Sequence, residues 1–285
     1  MGQTKSRFRQ FTDQQWERIE PLLPSNAGRQ GHPFRDNRKI VEAIIYRYRA
    51  GIPWRDLPRD EYGAWQTVWK RHARYARDGT WDRILHVILA DADAAGKIDW
   101  NVSVDATICR AHQHGTNTTR PDQDTGGQVG ITRTDPSGTV NPQVANVVTG
   151  GQRNDGAMLA EVLADIHVPR LGRGRPRTRP DAVIADKAYS SGTIRRQLRS
   201  RGIAAVIPEK SDTIDARARR GRRGGRPPKL DVDLYRGRNV VERSFALAKQ
   251  WRALATRYDK LAITYRAAVT LCAILTWLRH LGETP

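Results

Sequence analysis

At 285 residues, 38% hydrophobic and 28% charged, the chain can bury a core and reads as a soluble globular protein of one large or two ordinary domains. Its 49 Lys and Arg against 30 Asp and Glu give a formal charge of +19, which points to a polyanionic partner, DNA or RNA before any other. Two cysteines, Cys109 and Cys272, exclude a disulfide framework and fit a reducing cytoplasm, and neither a signal-peptide core nor an apolar run near the ~20 residues of a membrane span is present.

Taken in chain order, the first 96 residues read as helices. Thr12 is placed to cap a helix that starts at Asp13 and stops at Pro24, and Asn37 to cap a second that runs through Ile40, Ile44 and Tyr48 to Gly51. A third spans about 63–78. Its one face carries Trp65, Val68, Trp69, His72 and Ala76, and the opposite one Lys70, Arg74 and Arg77. A fourth begins at Thr80 with Ile84, Leu85, Ile88 and Leu89 as its buried stripe. The second and third helices, joined by a turn-rich linker, resemble a helix-turn-helix whose third helix would read a major groove. An ordinary amphipathic surface helix is the alternative.

Beyond Gly96 the pattern changes. Residues 98–104 alternate as a strand ending at Asp105, residues 182–185 form a short apolar run ending at Asp186, and residues 203–207 form a third strand. Helical segments are expected at 155–166, 193–201 and from about 240 to 281. Strands alternating with helices argue for an α/β layer domain over 97–285, preceded by the all-α domain of 1–96. Residues 170–180 and 216–229, rich in Arg, Gly and Pro, are expected as structureless loops that grip phosphates, and residues 126–151 as poor strands diluted by Gly, Asn and Pro.

Three carboxylates draw notice. An Asp after a strand is ordinarily a turn former, but Asp105 and Asp186 both stand at the carboxyl edge where open α/β sheets place their sites. Glu242 follows on a helix, where Tyr235, Arg238, Glu242 and Lys249 fall at offsets that put them on one face. A solvated face with an Arg238–Glu242 ion pair would look the same. Oxygen ligands of this kind suit Mg²⁺ or Mn²⁺. Cys109, His112 and His114 lack the partners of a zinc site.

The spacing Tyr235-x2-Arg238-x3-Glu242-x6-Lys249 resembles the signature of bacterial insertion-sequence DDE transposases. The texts around Glu242, Val104-Asp105-Ala106-Thr107, Ala185-Asp186-Lys187 and Thr256-Arg257-Tyr258-Asp259-Lys260 are similar to the subgroup called insertion sequence family five. That resemblance implies an RNase H-like catalytic fold in which Asp105, Asp186 and Glu242 hold two ions, Mg²⁺ or Mn²⁺. It further implies that Arg238 and Lys249 hold phosphates and that Tyr235 packs on DNA or orients the helix. The expected partner is double-stranded DNA, both the element's ends and a target, bound by a homodimer in the bacterial cytoplasm at the nucleoid. Two other readings stay open: a metal-dependent nuclease without strand transfer, and a decayed relative that binds DNA without cutting it.

Overall fold

A computed structural model describes residues 10–25, 36–108, 127–133, 143–149 and 155–282. The Cys109, His112 and His114 group lies outside the described residues. The N-terminal part is helical: α1 (Asp13–Ile19), α2 (Asn37–Ala50), a short α3 (Arg59–Tyr62), α4 (Trp65–Arg77) and α5 (Thr80–Ala94). The expected start of α1 holds, with Thr12 Oγ1 accepting from the Gln15 amide and Gln15 Oε1 accepting from that of Thr12. The cap of α2 is one residue earlier than expected. Asp36 accepts from the amides of Arg38 and Lys39, while Asn37 accepts from Arg71 at 2.8 Å. A full negative charge answers the exposed N–H groups and the helix dipole together, which a neutral amide cannot.

The second part is mixed α/β, built on a five-stranded sheet of order β3-β2-β1-β4-β5. β1 (Asn101–Ile108) pairs in parallel with β4 (Ala182–Ala185), and β4 in parallel with β5 (Ala204–Val206). β2 (Gly127–Arg133) and β3 (Gln143–Thr149) form an antiparallel hairpin on the other side of β1. So residues 126–151, expected as poor strands, do supply two. They form one flank of the sheet, with β3 as its edge, and the pairing shifts register at Ile131/Thr132. β1 also runs on through Asp105 to Ile108 instead of ending at Asp105, because β2 pairs with it as far as Ile108.

Helices α6 (Asp155–Ala164), α7 (Gly192–Ser200), α8 (Ser211–Arg219) and α9 (Val232–Arg236) precede a C-terminal run of α10 (Asn239–Lys249), α11 (Arg252–Thr256) and α12 (Ala262–Gly282). The basic stretch 216–229 is therefore not structureless throughout, since α8 and a 3₁₀ turn over 221–224 occupy part of it. α12, buried along most of its length, packs on α4, α5 and β3. One hydrophobic cluster thus runs from Phe11 and Trp81 through Val102 and Val183 to Trp277. Each fully buried Ile, Leu or Val in it contributes on the order of 1.5–3 kcal/mol, so the helical part and the sheet are held by a shared core.

Candidate active site

The parallel pairing of β1 with β4 ends at Val104 opposite Ala185. The next residue on each strand is Asp105 and Asp186. Strands in a sheet lie ~4.8 Å apart and register partners leave the same face, so the two carboxylates come off side by side. Asp105 Oδ1 accepts from its neighbour's amide, Ala106, at 2.8 Å. Asp186 caps the single 3₁₀ turn Lys187–Tyr189, accepting from the Ala188 amide at 2.8 Å. The two strand ends that sequence singled out are thus adjacent.

The face they leave by is covered by α10. Val240, Val241, Ser244, Phe245 and Ala248 of that helix are buried, and it packs on β1 and β2. Glu242 stands in its first turn on the exposed side. Tyr235, Arg238, Glu242 and Lys249 do not share one continuous helix, as their spacing suggested. The chain breaks at Gly237, which leaves Tyr235 on α9 and Arg238 at the start of α10. Tyr235 packs instead against the small apolar patch of Ala182, Ile184 and Val206 on β4 and β5. Lys249 is exposed at the far end of α10, seven residues and so about 10 Å along the axis from Glu242.

Arg238 is the centre of the constellation. Its Nη1 lies 3.3 Å from Asp105 Oδ2, and its Nη2 2.7 Å from Glu242 Oε1. A residue expected to hold phosphate is here bound to two of the three carboxylates. Burial raises the Asp105 carboxyl above its ordinary value, and the nearby charges of Asp186 and Glu242 add to that against the Ala106 amide and Arg238. Burial acts against the Arg238 guanidinium, yet Glu242 and Asp105 together hold its pKa above the ordinary value.

These residues fit a divalent cation by their chemistry. All donors are carboxylate oxygens, the preference of Mg²⁺ and Mn²⁺, and a guanidinium already stands as the counter-charge between two of them. Among the described residues no group of three or more His, Cys, Asp or Glu is drawn together at metal-holding spacing. Asp105 and Glu242 are spanned by Arg238 rather than by each other.

Of the other residues singled out, Lys70, Arg74 and Arg77 lie together on the exposed face of α4, opposite buried Val68 and His72, as its period required. Trp69, expected on the core side, is 39% exposed. The interior of this part holds a joint that the sequence contained without revealing its role. Arg47 of α2 pairs with Asp259 at 3.0 Å, both buried, with its guanidinium 4.6 and 4.7 Å from the rings of Tyr48 and Trp54. Asp259 belongs to the Tyr258-Asp259-Lys260 text, and an isolated Asp between helices carries no signal for a partner 212 positions away.

Comparison with known proteins bears on what this arrangement is. Residues 98–277 match the family model described as "Transposase DDE domain", and residues 11–85 the one described as "Putative transposase of IS4/5 family". The chain is 36% identical over 102 residues to "Uncharacterized protein y4sN" of Sinorhizobium fredii, covering 36% of this chain and 77% of that protein. It is 36% identical over 105 residues to "Insertion element IS402 uncharacterized 16.2 kDa protein" of Burkholderia cepacia, covering 35% and 71%. It is also 34% identical over 145 residues to "Putative transposase for insertion sequence element IS402" of Burkholderia cepacia, covering 50% and 60%.

Proposed function

The chain belongs to the DDE transposases of bacterial insertion sequences, and from that premise we propose that it cuts the ends of its own element and joins them to a target duplex, with Asp105, Asp186 and Glu242 as metal-binding carboxylates. What supports this reading is that Asp105 and Asp186 follow directly on the paired ends of β1 and β4, and that Arg238 links Asp105 to Glu242. Two divalent ions, Mg²⁺ or Mn²⁺, would be held there and would supply an activated oxygen nucleophile and charge stabilisation at phosphorus.

The chain's own residues do the rest. Asp105, desolvated and next to two other carboxylates, gives the site a concentration of negative charge that selects a cation. Arg238 neutralises part of it and, once released from Asp105 or Glu242, presents a planar fork suited to a phosphate. Lys249, two helical turns along the same face as Glu242, is spaced to meet a more distant phosphate of the same strand. Tyr235 sets the position of α9, and with it the approach to Arg238, by packing on β4 and β5.

In this reading residues 1–96 form the part that recognises the terminal inverted repeats and residues 97–285 the catalytic part. α2 and α4 act as a helix-turn-helix-like unit, with Lys70, Arg74 and Arg77 facing DNA. Two ends must be joined, so the working species is a homodimer, acting at the nucleoid. The experiment is an end-cleavage and joining assay on duplexes bearing the flanking inverted repeat, with Mg²⁺ or Mn²⁺, EDTA, and Asp186→Ala. Nicking and joining that need the metal and vanish in Asp186→Ala support the proposal. Specific end binding without cleavage in either metal would leave a DNA-binding relative and defeat the catalytic reading, and cleavage without joining would leave a nuclease.

A further inference from the structure

Residues 170–229 hold 18 Lys and Arg against 5 Asp and Glu, a surplus of 13 within a chain whose total is +19. Part of that surplus lies at one edge of the sheet. Strand β5 is the last in the order β3-β2-β1-β4-β5, and beside it opens a cleft of about 620 Å³ between α7, the start of β5 and residues 226–229. Arg195, Arg199, Arg226 and Lys229 line it, together with Gly202 and the stiff pair Pro227-Pro228. Arg195 is anchored, donating to the Ile207 carbonyl at 2.6 Å. Arg199, Arg226 and Lys229 are exposed and make no carboxylate pair among the described residues. In the same stretch Arg217 is committed to Glu209 and Arg177 to Asp181. The chain thus keeps some cations for its own fold and leaves others to solvent.

An anion-binding surface this dense fits duplex DNA, which carries one charge per ~1.7 Å of axis and gains affinity from each counterion released. Two observations say which duplex. The first is placement. α4, with Lys70, Arg74 and Arg77, packs on α12, which packs on β3, and α5 lines a small cleft with Val144 and Asn146 of β3. That is the opposite edge of the sheet from β5; Asp105 and Asp186 stand toward the carboxyl ends of the strands between, and the cleft meets β5 at its amino end. The second is chemistry. No Asn, Gln, Ser or Thr lines the β5 cleft among the described residues, so every polar side chain lining it is a cation, the type that binds phosphates of any sequence.

We propose that the β5 edge, with α7 and residues 226–229, grips the target duplex by its phosphates, while the element's end approaches from the side of α4. This rests on the transposase reading above and assigns a separate surface to the second DNA.

The test is the triple variant Arg199→Gln/Arg226→Gln/Lys229→Gln, which alters exposed side chains and none at the carboxylates. Protein is first loaded with a labelled inverted-repeat duplex, and capture of a second, unrelated duplex is then titrated at several salt concentrations. The variant is expected to hold the end duplex within twofold of the parent. It should capture the second duplex about tenfold more weakly, with a salt slope shallower by roughly 2–3 for three lost phosphate contacts. Joining to plasmid should fall in parallel while end cleavage is kept. Equal loss of end binding, undiminished capture, or a parent protein that captures no second duplex would each overturn the proposal. Failure of the catalytic reading is seen separately, as absence of Asp186-dependent cleavage, because the capture titration measures binding alone and needs no cleavage.

Discussion

Removing the carboxylate of Asp259 is expected to cost about 3–5 kcal/mol of folding stability. Arg47 and Asp259 lie 3.0 Å apart with side chains 3% and 5% exposed. At an effective dielectric of 20, the attraction between unit charges at that distance is roughly 5–6 kcal/mol, of which desolvation of both groups consumes a large part. Asp259→Ala removes the attraction and leaves the desolvation of Arg47 in place. The guanidinium stays enclosed by Tyr48 and Trp54, and its Nε has no hydrogen-bond partner among the described residues even with Asp259 present. Asp259 also bears on the buried Tyr48 hydroxyl, which lies 3.0 Å from His72 Nε2, so part of a small network goes with it. Replacing both members, as Arg47→Met/Asp259→Leu, removes the stranded charge and is expected to cost less than Asp259→Ala alone. Urea unfolding at pH 7, followed by tryptophan fluorescence and by circular dichroism, measures both variants. A double variant as unstable as Asp259→Ala, or a single variant within about 1 kcal/mol of the parent, would refute the premise that a stranded charge governs this joint.

Two further outcomes follow from the same region. Gly51 closes α2 at φ +74, and a Cβ there would stand 2.6 Å from the Cβ of Arg252; Gly51→Ala is expected to lose about 1–2 kcal/mol from the backbone alone, and more from the clash, read as a lowered melting temperature. His72 is fully buried, and burial first, then the charge of Arg47, lowers its pKa to about 3. The unfolded chain binds that proton below about pH 6.5 and the folded chain does not until about 3, so stability falls as pH drops through this window, by about 2 kcal/mol at pH 5. His72→Gln should flatten the difference between pH 5 and pH 7, and an unchanged difference in that variant would show that other groups cause it.

The parts of the fold that sequence made legible are those governed by local rules. Thr12 announces the cap of α1, and Val68 and His72 against Lys70, Arg74 and Arg77 announce the two faces of α4, because helix period and capping act within a few residues. Asp105 and Asp186 were readable as strand-end carboxylates, though not as neighbours, since parallel register is set by the whole βαβ arrangement. The hairpin of β2 and β3 was obscured because its Gly, Asn and Pro content argues against strands in isolation. Antiparallel pairing with β1 supplies from outside what propensity lacks. Arg238 was placed in the site by its spacing from Glu242, but its bond to Asp105 spans 133 positions, and the Arg47–Asp259 joint spans 212. Contacts at that separation are products of topology, on which period and composition are silent.

In the proposed reading, Asp105, Asp186 and Glu242 would by themselves repel the polyanion that the site is to receive. The electrostatic problem has two distances. At contact range, Arg238 lowers the negative charge of the site by bridging Asp105 and Glu242, and the cations such a site selects would lower it further. Farther out, charges are screened over about 8 Å at physiological salt, so attraction must come from cations placed within a few strand widths of the carboxylates. β5 is one strand from β4 and two from β1, at ~4.8 Å each, and Arg195, Arg199, Arg226 and Lys229 line the cleft beside its first residues. A strongly basic net charge and the proposed carboxylate site are therefore compatible: the first would deliver the phosphate backbone that the second, bare, would turn away.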